Sequence, residues 1–172
     1  IACFHWWFDM MATRPRPLQE KMTLFWHGHF VSEGDVVGRN DQMMEQNQLF
    51  RSMAVGNFRA LTHAMSLQPA MLIYLSNAVN VKGTPNQNFA RELFELFTLG
   101  IGNYTEDDVK AAARAFTGWF FDAVRDNTAN KRITSATFAF NAKQHDTGSK
   151  TFLGQTGNWN GDDIIRIALG QP

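Results

Sequence analysis

Residues 84–119, TPNQNFARELFELFTLGIGNYTEDDVKAAARAFTGW, constrain the fold more than any other stretch. Apolar residues recur there at helical spacing on either side of a glycine-containing turn, the pattern of two helices joined by a tight connection. Thr84 stands where an N-cap belongs, Pro85 suits a first helical position, and Gln87 completes a capping box. Gly100 and Gly102 are placed to end that helix and turn the chain. Thr105 is the expected cap of the second helix. Its first turn carries Glu106, Asp107 and Asp108, negative charges that complement a helix N-terminus.

The flanking sequence extends the helical reading. IACFHWWFDMMATRPRP predicts an amino-terminal helix buried on most sides and stopped by Pro15 and Pro17. Pro17 to about Phe30 predicts a second, with Leu18, Met22, Phe25 and His29 as its core stripe and Glu20 and Thr23 away from it. Asp41 is the expected cap of a third helix through Phe50 and Met53. Asn57 caps a fourth with Leu61 and Met65, and Pro69 opens a short fifth. Residues 76–83 read as a polar loop and residues 122–132 as an exposed one. From Thr137 the alternation of Phe138 and Phe140 with Ala139 and Asn141 predicts a strand. Asp146–Ser149 supplies a turn, and Lys150–Leu153 a returning partner. Asp162 or Asp163 is the expected cap of a final helix from Ile164. The fold class is therefore mainly α, a multi-helix orthogonal bundle with one small β-hairpin near residues 137–153, in a single domain spanning 1–172.

Sixteen basic residues balance sixteen acidic ones among 172, so no net field draws the chain to nucleic acid or an anionic membrane. The longest uninterrupted apolar run, Ala70–Leu75, is too short to span a bilayer. A single cysteine, Cys3, excludes an internal disulfide. Fifteen Phe and five Trp furnish either an aromatic core or an aromatic surface awaiting a partner.

TLFWHGHF at 23–30, QPAMLIYL at 68–75, residues 82–119 and FAFNAKQHDTGSKTFLG at 138–154 stand in an order that closely resembles the bacterial family catalogued as "domain of unknown function 1800". The resemblance runs from about Trp7 to Pro172. It implies that the chain is an internal piece of a longer, exported protein, periplasmic or secreted, whose remaining segments are natural packing partners. It implies no activity, so the site residues rest on their own chemistry.

His27 and His29 could share a divalent metal if Gly28 breaks the helix, since alternate residues share a face only when the backbone is extended. On a helix they point about 200° apart, and His29 becomes a core histidine instead. Glu92 and Glu95 lie three apart on one helix and could hold a cation or divide acid and base roles. The plainer reading pairs them with Arg91, Lys110 or Arg114. His145 and Asp146, at the expected hairpin turn, complete the metal candidates, with Asp146 equally suited to capping the turn. Trp119, Trp159, Asn86 and Asn88 offer the rings and amides of a sugar-binding surface. No Gly-x-Ser-x-Gly elbow or phosphate-cradling loop is present. Three functions follow. The leading one is a helical scaffold or interaction module engaging the rest of its chain or another exported protein. The others are a metal-assisted hydrolase or oxidoreductase, and a glycan-binding module.

Overall fold

The computed structural model describes residues 2–126 and 133–171, and the side chains of residues 5–126 and 133–171. The architecture is mainly helical, with two small antiparallel two-stranded sheets. Helix α1 (Ala2–Thr13) stops short of Pro15, and α2 (Pro17–His29) starts on Pro17, whose fixed φ suits a first helical turn. One turn of helix, α3 (Gly34–Val37), occupies the connection to α4 (Asn40–Met53). Helices α5 (Phe58–Ser66) and α6 (Pro69–Tyr74) follow, and Asn57 caps α5 by accepting from the Ala60 N–H. Asp41 is not a cap. Arg39 occupies that position and Asp41 pairs with it from the first turn of α4.

Helix α2 keeps only half of its expected core stripe, Met22 and His29 being half-buried. Leu18 and Phe25 face solvent, 61% and 55% exposed, while Glu20 and Thr23 are buried. The reason lies on α4. The Arg51 Nε and Nη2 donate to the two Glu20 carboxylate oxygens at 2.7 and 3.0 Å, inside the protein. Gln19 Nε2 donates to the Arg51 carbonyl and Trp26 Nε1 to the Ala54 carbonyl. Four polar contacts along one face outweigh the transfer of two apolar side chains, because an unpaired buried charge costs more than an exposed leucine gains. Helix α1 likewise is less buried than expected, with Phe8 64% exposed.

The central stretch also departs from expectation at its start. Thr84 bridges to Val81, and helix α7 (Asn88–Glu92) begins four residues later without a side-chain cap at Gln87. It widens into a π-helical turn over Leu93–Thr98, where the N–H groups of Leu99 and Gly100 both donate to the Phe94 carbonyl. Gly100, at φ +79°, ends it as a left-handed glycine should. Thr105 caps α8 (Glu106–Ala115) as expected, with Asp108 returning to the Thr105 N–H.

The polar segment between α6 and α7 is exposed at Ser76, Val79 and residues 82–85 but turns two amides inward. Asn77 and Asn80 are fully enclosed. Asn77 Nδ2 donates to the Phe116 and Trp119 carbonyls, and Asn80 Nδ2 to the Ala113 carbonyl, so these amides satisfy the orphan end of α8. Asn80 Oδ1 accepts from the Asn86 N–H, and its carbonyl from the Gly118 N–H. A Cβ at Gly118 would come within 2.6 Å of the Asn141 carbonyl oxygen, so the close approach demands glycine there.

Strand pairing differs from the expected hairpin over 137–153. Strand β1 (Trp119–Arg125) pairs with β2 (Ile133–Phe140), so residues 122–125 form a strand; residues 127–132 of the expected loop lie outside the described residues. Strand β3 (Lys150–Phe152) pairs instead with β4 (Gln155–Gly157). Their two-residue turn holds Leu153 and Gly154 at positive φ, and the buried Asp108 carboxylate accepts the Leu153 N–H at 2.7 Å. Helix α9 (Gly161–Ala168) is capped by Asn160, with Asp163 completing the box, rather than by either aspartate. It buries Ile164, Ile165 and Ile167 in the core formed by Phe89, Phe94, Phe116, Trp119 and Phe152.

Glu20→Leu alone is expected to lower the unfolding free energy by roughly 3–5 kcal/mol, since it strands the Arg51 charge in the interior. Combining it with Arg51→Met should recover most of that loss in urea titration. Equal stability of both variants would show that the pair does not hold α2 in place.

Candidate functional site

A cleft of about 520 Å³ opens where α1, α2, α3 and α4 converge. Trp6 and Trp7 come from α1, His27 from α2, and Met43, Met44 and Asn47 from α4. Ser32, Glu33, Asp35 and Asn40 stand along the α3 side. Helical spacing places Gln42, Gln46, Asn47 and Arg51 on the buried face of α4, an unusual concentration of polar groups, and Asn47 among them lines the cleft. Arg51 also lies under Trp6, 4.9 Å from the ring centre, so the Glu20 ion pair supports the aromatic wall.

His27 is at the centre. Its ring packs on Trp7 and Phe50, each at 4.7 Å between centroids. Burial, reinforced by the Arg51 charge, lowers the imidazole from 6.5 to about 4, so the ring is neutral at physiological pH. A neutral ring can accept at Nε2, and Asn47 Nδ2 donates to it at 3.0 Å. That places the ring proton on Nδ1 and leaves Nε2 engaged in orienting Asn47. The Asn47 Oδ1 and the Trp7 Nε1–H, on two residues that contact this imidazole, are buried without a hydrogen-bond partner among the described residues.

The other candidates are dispersed. His29 Nε2 donates to the Phe97 carbonyl at 3.0 Å, tying α2 to the π-helical turn. Glu92 is half-buried on α7 and is paired with none of the cations expected for it. Arg91 holds Glu106, Lys110 holds Asp107 and Arg114 holds Asp146. Glu95 accepts from the Tyr104 hydroxyl. Buried His145 donates from Nδ1 to the Thr117 carbonyl at 2.8 Å. Asp146 receives a two-pronged bond from Arg114, which holds its carboxyl down at about 2, and it also caps the turn through the Gly148 N–H. Among the described residues no three His, Cys, Asp or Glu side chains converge on a position for an ion.

The sugar-surface candidates separate likewise. Trp119 is 3% exposed, its ring against Phe116, Phe138 and the bare Cα of Gly161, and it is no surface platform. Trp159 lies over Gly157 and donates to the Gln155 carbonyl. Asn86 Oδ1 accepts from the Asn88 N–H, a local turn bond preceding α7. Sequence reasoning had passed over Trp6, Trp7 and Asn47. The available signal was the Gln42, Gln46 and Asn47 stripe, polar at core spacing on a helix otherwise well placed for burial.

A family model described as "Protein of unknown function (DUF1800)" matches residues 2–172. The chain belongs to that family. No curated protein and no solved structure matches it significantly. The match spans every element of the cleft and both sheets, and no helix among the described residues is long and apolar enough to cross a membrane.

Two pH windows follow from these groups. Because His27 is harder to protonate when folded, its contribution is complete above about pH 6.5 and is lost as pH falls towards 4, by roughly 2–3 kcal/mol. Asp146 contributes above about pH 4 and loses that contribution towards pH 2, on the order of 1–2 kcal/mol given the partly exposed Arg114. In urea titrations across pH, His27→Gln should flatten the upper window and Asp146→Asn the lower. Unchanged slopes would contradict the assignment.

Proposed function

We propose that this chain is a helical interaction module of an exported bacterial protein, engaging further polypeptide from its own chain or from another exported protein. One observation carries the reading. Helix α2 turns Leu18, Leu24 and Phe25 outward, each more than half exposed, while its charge is spent inward on Arg51. α1 adds Phe8 at 64%. Apolar side chains held outward by a buried ion pair favour burial against a second surface. Export rests on the family resemblance alone. The metal-assisted reading draws no support from the dispersed ligands, nor does a glycan surface built on Trp119.

The test places the photo-reactive amino acid p-benzoylphenylalanine in the full-length protein in cells, at Leu18, at Phe25, or at exposed Glu45 on the far side of α4 as control. Positions 18 and 25 are expected to give discrete adducts that peptide mapping assigns either to another segment of the same chain or to a second protein. Yields no higher than at position 45 would overturn the proposal.

A further inference from the structure

We infer that the cleft between α1, α2 and α4 is a binding site for a neutral saccharide carrying an acetamido group. It shares no residue with the outward face of α2, so either reading can fail alone.

The volume, about 520 Å³, lies within the range of small-ligand sites. Its deepest polar atoms make the first demand. Trp7 Nε1 is a donor and Asn47 Oδ1 an acceptor; both are buried and unpartnered among the described residues, and Asn47 is only 4% exposed. An unpaired buried group is costly, so a ligand that meets both recovers affinity from the site itself. A trans secondary amide presents its C=O and N–H in opposite directions. The two orphan groups come from different helices, on residues that both touch one ring, Trp7 packing on His27 and Asn47 bonding its Nε2. Such an amide carries both a carbonyl for Trp7 Nε1–H and an N–H for Asn47 Oδ1.

The walls make the second demand. Met43 and Met44, half-buried on α4, offer a soft apolar surface sized for a methyl group. Trp6 and Trp7 offer indole faces to the C–H face of a pyranose. The third demand comes from the rim, where the exposed Glu33 and Asp35 carboxylates are acceptors only. Beside the donors of Ser32 and Asn40 they suit hydroxyl groups, and their charge repels an anionic ligand. A peptide satisfies the amide pair but supplies few hydroxyls to that rim, so the saccharide is favoured.

Calorimetric titration of the full-length protein with N,N′-diacetylchitobiose tests the inference, with cellobiose and N-acetylmethionine methylamide as comparators. Diacetylchitobiose is expected to bind with a Kd below about 1 mM and cellobiose at least about tenfold more weakly. Trp7→Phe keeps the ring and removes its N–H. That variant should weaken diacetylchitobiose about tenfold while cellobiose is unaffected, with circular dichroism and Tm confirming the fold. Asn47→Asp, which keeps the acceptor and bulk, should retain binding better than Asn47→Leu at pH 7. No heat with diacetylchitobiose up to about 10 mM overturns the inference. So does equal affinity for cellobiose, or tighter binding of the methionine amide.

Discussion

Glu20 and Arg51 meet away from water, and their pairing decides which face of α2 looks inward. Everything near the cleft depends on that choice. With Glu20 inward, the same helical stripe brings Thr23, His27 and Phe30 towards α4, because residues three and four apart share a face. His27 then reaches Asn47, and Arg51 lies beneath Trp6. The opposite stripe, Leu18 and Phe25, is left to solvent. A buried pair adds little net stability compared with apolar residues of equal volume, but removing one partner is severe. Its effect here is to select an orientation.

The second half of the molecule is organised by neutral amides and one carboxylate acting at the ends of helices. Asn77 and Asn80 reach the last carbonyls of α8, and Asp108 both completes its cap and holds the Leu153 turn. These bonds carry α7, α8 and the β3–β4 hairpin as one packed unit around Phe94 and Phe116. His145 and Asp146 belong to that unit, the first fastened to Thr117 and the second to Arg114. Their chemistry is spent on structure. His29 is similarly engaged, since the π-helical turn leaves the Phe97 carbonyl available and His29 takes it.

The cleft differs because its polar groups are incompletely matched. Asn77 and Asn80 find main-chain partners; beside His27 a donor and an acceptor do not, and neither do the Gln42 amide and the Gln46 Oε1 on the same helix α4 among the described residues. A neutral imidazole held by burial orients Asn47 without adding charge. Aromatic walls and a carboxylate rim distinguish this site from the core around it.

What the sequence by itself determined was local. Helix identity followed from periodicity, and the caps at Asn57 and Thr105 and the turn at Gly100 from residues acting within one turn of themselves. Family membership followed from the order of its motifs. Tertiary structure decided what depends on partners far along the chain. Leu18 and Phe25 formed the more apolar stripe of α2, yet a guanidinium 31 residues from Glu20 prevailed. Strand β2 found its partner in residues 119–125, the last four of which open the hydrophilic stretch expected to be a loop, because pairing is satisfied by backbone groups that every sequence carries. Trp6, Trp7, His27 and Asn47 lie on three helices, and only the packing of those helices makes them one site. Local rules bind a residue to its near neighbours; a buried charge answers to whichever partner the fold delivers.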